Sequence, residues 1–106
     1  MKKLLILGLS LMTMTTICAN NTGEKECNLK VASFNLRMDT PNDGENAWPN
    51  RKEMVKGLIR FHDLDIIGTQ EGFKHQLDGI LELNDYTYVG SGRDDGKDAG
   101  EHSAII

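Results

Sequence analysis

Cysteine, proline and positive charge are all scarce in this chain of 106 residues, and each shortage excludes something. If Cys18 leaves with an N-terminal leader, Cys27 stands alone, and no disulfide framework or zinc site can be built from it. No apolar run approaches the roughly 20 residues of a membrane-spanning helix, so no stable span is expected. Glycine-rich phosphate loops, nucleophile elbows and CxxC pairs are all absent. Acids outnumber bases by 16 to 12. A general positive field that would hold nucleic acid is therefore excluded, and an anionic partner must be held locally, by a metal or a few placed cations.

The N-terminus has the order of a secretory signal. A basic Met1-Lys2-Lys3 precedes the apolar Leu4 to Met12, and the small, polar "TMTTICAN" follows. Cleavage after Ala19 puts Ile17 and Ala19 at the recognition positions. The rival route is cleavage before a lipid-modified Cys18, for which Ile17 is bulky. Residues 1–19 are read as a signal peptide, 20–28 as a flexible leader and 29–106 as the domain, exported to the periplasm or beyond. Loss of residues 1–19 removes two lysines and no acid, so net charge moves from −4 to −6.

Periodicity then gives an alternating order. "LKVASFNLRM", Leu29 to Met38, reads as a strand with Ala32, Phe34 and Leu36 on one face and Val31, Ser33 and Asn35 on the other. Asp39 to Asn50 is a loop rich in Pro, Gly, Asn and Asp. A helix opens at Pro49 or Asn50, with Met54, Val55, Leu58, Ile59 and Phe61 assigned to the apolar side and Arg51, Lys52, Lys56 and Arg60 to the polar side. A second strand covers Ile66 to Thr69, and a second helix Lys74 to Leu83, with Phe73, Leu77, Ile80 and Leu81 at core spacing. Tyr86 to Gly90 is a third strand, Ser91 to His102 a polar loop, and "SAII" the start of a fourth strand. Strands alternating with helices imply a layered α/β structure. Ending on a strand, the chain reads as a fragment or a truncated product.

Several residues could carry chemistry, and each has a plainer reading. Glu71, just before the second helix, is placed as an acid that the helix dipole favours. Asn35 could simply bond a strand-end turn. If the first two strands are parallel neighbours, however, both residues arrive at the sheet edge where open α/β sheets bind ligands. A carboxylate and an amide oxygen, completed by water, suit magnesium. Arg93 in "GRDDG" offers a planar cation for phosphate oxygens, or a solvated turn. Glu101 and His102 precede the last strand, and His102 is expected to be solvated. His62 and His75 lie by the helices, and Trp48 is expected to pack.

"VASFNLR" followed, beyond a helix, by "DIIGTQEG" resembles the two opening motifs of the endonuclease/exonuclease/phosphatase family. "NAWPNRKEMVKGLI" is similar to that family's first helix, and "YVGSGRDDGKDAGEHSAII" resembles a later segment of its secreted bacterial members. The resemblance covers residues 29–106. It implies a fold that is the N-terminal part of a four-layered α/β sandwich, two sheets flanked by helices, here truncated. It implies metal-dependent hydrolysis of phosphodiester or phosphomonoester bonds, with magnesium, or manganese in its place. Glu71 would be a metal ligand, with Asn35 in the same metal and phosphate site. Gln70 would brace it, and Arg93 and Glu101 would serve substrate or outer-shell roles. The implied substrates are nucleic acids, inositol phosphates or phospholipid head groups. The family's Asp-x-Asn segment and closing Asp-His pair are not in these residues, so no catalytic set is complete. A non-catalytic secreted α/β binding module is the alternative, and nothing sets the oligomeric state.

The exported product is expected to begin at Asn20. Intact-mass spectrometry checks this, and a diacylated or triacylated Cys18 terminus would identify the anchored form instead.

Overall fold

The computed structural model describes the backbone of residues 13–18 and all of residues 27–106. The signal over 1–19 and the leader over 20–28 therefore fall mostly outside the described residues. Within the segment expected to be a signal, Thr13–Cys18 forms a strand, β1, in a stretch rich in β-branched Thr and Ile.

β2 is Asn28–Asn35, and a 3-10 helix at Pro41–Asn46 leads to α1, Trp48–His62. β3 is Ile66–Gly72, α2 Lys74–Leu81, β4 Val89–Gly92 and β5 His102–Ile105. The strands form one mixed sheet in the order β1-β2-β3-β5-β4. Among the described strands only β2 and β3 run parallel, joined by α1; the other pairs are antiparallel.

The alternation expected of the first strand holds. Ala32, Phe34 and Leu36 join Ile67, Ala104 and Ile106 beneath Trp48, Val55 and Ile59 of α1 and Leu77 and Ile80 of α2. The opposite sheet face is open and shows Ile66, Ile105 and Val89, the last 78% exposed. The described residues thus supply one sheet and one helical layer of the sandwich that the resemblance implies.

Several boundaries differ from expectation. β2 stops at Asn35 instead of Met38, because Arg37 turns to φ 55, which an extended strand cannot absorb. The apolar side of α1 is rotated. Trp48, Val55 and Ile59 are buried, whereas Met54 and Phe61 are exposed, Phe61 by 82%. Lys56, assigned to the polar side, is 6% exposed. Its ammonium pairs with Glu53 at 2.9 Å and Glu82 at 2.8 Å, and its apolar stem lets the rest of the side chain lie against the protein. α2 ends at Leu81, two residues before the expected Leu83. β4 begins at Val89, not Tyr86, because the Tyr86 hydroxyl donates to the Leu64 carbonyl at 2.7 Å and is held outside the ladder. Ser91, Gly92 and His102, assigned to a loop, pair instead as strand residues.

Glu82 is the carboxylate that joins the two helices. Hydrogen bonds from Lys56 and then Lys52 hold it down to about 2, below its ordinary value of 4.5. A depressed carboxyl stabilises the fold above its ordinary value, and that contribution disappears as pH falls through the depressed one. Glu82→Gln should therefore lower the thermal midpoint at neutral pH and flatten the acid limb below about pH 4. Melting curves of both proteins across that range check this, and parallel acid limbs would refute it.

Candidate functional site

The parallel pairing of β2 and β3 brings their carboxyl ends to one edge. Asn35 lies beside Gln70, and the Leu36 amide donates to the Gln70 carbonyl at 2.9 Å. Both strands then leave their ladders through non-glycine residues in the left-handed region, Arg37 at φ 55 and Glu71 at φ 59. Such a conformation costs an L-residue about 1–2 kcal/mol.

The turn at Glu71 has a steric logic. Thr69 faces the helices and is buried, so strict alternation would send Glu71 to the same side. The ladder is irregular between Thr69 and Gly72, and Glu71 is half-exposed, not buried. Gly72 then passes close under β2, where a Cβ would lie 2.9 Å from Leu36 Cδ1. Among the described residues no hydrogen bond or ion pair engages the Glu71 side chain. Gln70 reaches back along the open face, its amide donating to Ser33 Oγ at 3.3 Å and to the Gly68 carbonyl at 3.2 Å.

The turn at Arg37 is held from several sides. Its amide donates to Asn35 Oδ1 at 2.7 Å, and its guanidinium pairs with Asp43 at 2.8 Å. Its carbonyl accepts from Arg51 Nη2 and from Gln76 Nε2, each at 3.0 Å. Arg51 also donates to the Leu36 carbonyl at 2.9 Å and to the Asn46 carbonyl, and its guanidinium lies 5.7 Å from the Trp48 ring centroid. Burial, then the nearby Arg37, lowers the Arg51 pKa, while Asp43 and Asp39 oppose that shift. Asp39 accepts from the Trp48 amide at 3.1 Å and meets His75 Nε2 at 2.9 Å. Sequence reasoning missed Arg37, Arg51 and Gln76. One signal was present: Gln76 stands at core spacing between Phe73 and Ile80, a polar residue where the helix pattern calls for an apolar one.

Arg93 and Glu101 come together at the same end of the sheet. Gly72, His102 and Gly92 form one row across β3, β5 and β4, and Arg93 and Glu101 lie just beyond it. The Arg93 amide donates to the Glu101 carbonyl at 3.0 Å, and the side chains meet at 3.4 Å. Asp95 shapes the hairpin by accepting from the amides of Lys97 and Ala99, which lowers its pKa. His102 is not solvated: it is buried in β5, its Nδ1 is 3.1 Å from the Gly100 carbonyl, and its Nε2 has no partner among the described residues.

The donors Asn35 and Glu71 offer are hard oxygens, the type magnesium takes. Among the described residues no cluster of three or more His, Cys, Asp or Glu side chains could hold a metal. The donor set thus fits a cation in kind while leaving most of its shell to water and other groups.

A parallel strand pair bearing polar residues at its carboxyl edge, with helices on one face of the sheet, defines an α/β protein of the class that binds ligands at that edge. No protein-family model and no curated protein sequence matches the chain. Solved structures do. An endonuclease/exonuclease/phosphatase from Bacteroides vulgatus is 43% identical over 71% of this chain, with TM-score 0.69. A mannosyl-6-phosphatase from Bacteroides thetaiotaomicron is 49% identical over 73% of this chain, with TM-score 0.69. An endonuclease/exonuclease/phosphatase family protein from the same organism is 42% identical over 88% of this chain, with TM-score 0.68. The matched parts are 29%, 30% and 31% of those proteins. Two of these neighbours are named endonuclease/exonuclease/phosphatase proteins, and the chain spans about three tenths of the length of all three, consistent with an N-terminal portion of such a protein.

If Glu71 is strained for a purpose other than stability, Glu71→Gly should stabilise the fold by about 1 kcal/mol and Glu71→Ala should not. Urea unfolding of the three proteins checks this.

Proposed function

We propose that this chain carries the metal-binding part of a magnesium-dependent phosphoester hydrolase. The observation that supports this best is Glu71: a carboxylate in a strained backbone conformation, half-exposed and with no partner among the described residues, beside the Asn35–Gln70 row. Non-glycine residues held in the left-handed region cluster at functional positions. Glu71 would be the charged ligand and Asn35 would contribute its amide oxygen directly or through water. Gln70 braces β2 against β3 beneath them. Arg93 would take a phosphate oxygen, with Glu101 fixing its guanidinium. Magnesium held there would polarise the phosphoryl group and offset charge in the transition state. Manganese would satisfy the same oxygen donors.

A sugar phosphate monoester is the substrate class we favour. The support is the 49% identity to the mannosyl-6-phosphatase, together with an acid excess of 16 to 12 that disfavours non-specific nucleic-acid binding. The leader-like N-terminus supports export as part of the same reading.

The open sheet face, with Val89 and Ile105 exposed, favours one second reading: a binding module without catalysis. Magnesium titration followed by amide NMR separates the two. In the hydrolase reading the wild type shifts around Asn35 and Glu71 with weak affinity, and Glu71→Ala does not. Identical responses from both proteins would favour the module. The 106-residue chain is also expected to hydrolyse no generic phosphodiester, since a water-activating base of the family's Asp-His type is absent from it. Turnover by pure protein would refute that.

A further inference from the structure

We infer that Gln76 is a positioning residue for Asn35, acting through the carbonyl of Arg37. The inference rests on the phosphoester reading for what Asn35 does, and on geometry alone for how Asn35 is held.

The terminal torsion of an asparagine is soft, so its amide needs a partner to fix its direction. The Arg37 amide supplies it, at 2.7 Å from Asn35 Oδ1. That N–H meets Asn35 while Arg37 stays left-handed at φ 55, a conformation that a non-glycine residue keeps only when its surroundings enforce it. Two donors on the Arg37 carbonyl do so: Gln76 Nε2 and Arg51 Nη2, each at 3.0 Å, which fills both acceptor positions of that oxygen.

Gln76 can be oriented only one way. Its Oε1 accepts from the Phe73 amide at 3.0 Å and from the Asp39 amide at 3.1 Å. A flipped amide would set donor against donor at both and acceptor against the Arg37 carbonyl. The side chain is fully buried, so water cannot repair a mismatch. One side chain therefore ties the first turn of α2 to the chain leaving β2, at the Arg37 carbonyl and the Asp39 amide.

Gln76→Glu tests this because it keeps the acceptor and places a second acceptor against the Arg37 carbonyl. The expected results are three. The Arg37 amide resonance moves upfield and its hydrogen exchange quickens. Affinity for magnesium alone falls about tenfold, the usual scale for losing an outer-shell partner. The Asn35→Ala, Gln76→Glu double variant binds magnesium no more weakly than Asn35→Ala. An unmoved Arg37 amide, or losses that multiply in the double variant, would overturn the inference. A wild type that ignores magnesium would sink the phosphoester reading, while the Arg37 resonance would still decide this one. Should Gln76→Glu not fold, the wild type decides: the Gln76 amide protons must exchange slowly and show coupling to the Arg37 carbonyl across the hydrogen bond, and their absence refutes the clamp.

Discussion

The arrangement at the carboxyl edge depends on the parallel ladder between β2 and β3. Its last row sets Asn35 beside Gln70, and the bond from the Leu36 amide to the Gln70 carbonyl carries the pairing one residue further. A parallel pair needs a crossover, and α1 provides it, burying Trp48, Val55 and Ile59 on the sheet. A one-residue slip in this ladder would exchange the faces of Ala32, Phe34 and Ile67 with those of Asn35 and Gln70. Core and edge site are thus specified by the same register: the apolar residues that must be covered fix where the polar ones emerge.

Two left-handed residues stand where that ladder ends. Arg37 and Glu71 both lie at φ above +50, and neither is glycine. Their surroundings differ in kind. Arg37 is held through its amide, its carbonyl and its guanidinium. Glu71 is held by the chain on either side, with Gly72 pressed against Leu36. A turn held through its backbone gives a fixed side-chain direction, whereas a carboxylate outside any bond remains available for a ligand.

Much of the helical layer was hidden from periodicity. Lys56 looked polar and is buried, because its stem is apolar and its charge has two partners in Glu53 and Glu82. Phe61 looked like core and is exposed, because α1 turns its Trp48–Val55–Ile59 face to the sheet. His102 looked solvated because it stood in a run of polar residues; strand pairing with Gly72 and Gly92 buries it. In each case the deciding fact was a partner distant in sequence.

The sequence by itself determined the order of strands and α-helices from β2 onward, the face of β2 that enters the core and the placing of Asn35 and Glu71 at the ends of successive strands. These follow from local alternation and from turn residues, which act over a few positions. Only the tertiary structure decided that Asn35 and Gln70 are neighbours, that Arg93 and Glu101 meet at the same end of the sheet, and that Arg51 and Gln76 share the Arg37 carbonyl. Those facts need a parallel crossover and a helix docked at a given rotation, and both are set by how the apolar surfaces of β2, β3, α1 and α2 cover one another. Local patterns place a residue on its own element; long-range burial decides which other residues it meets.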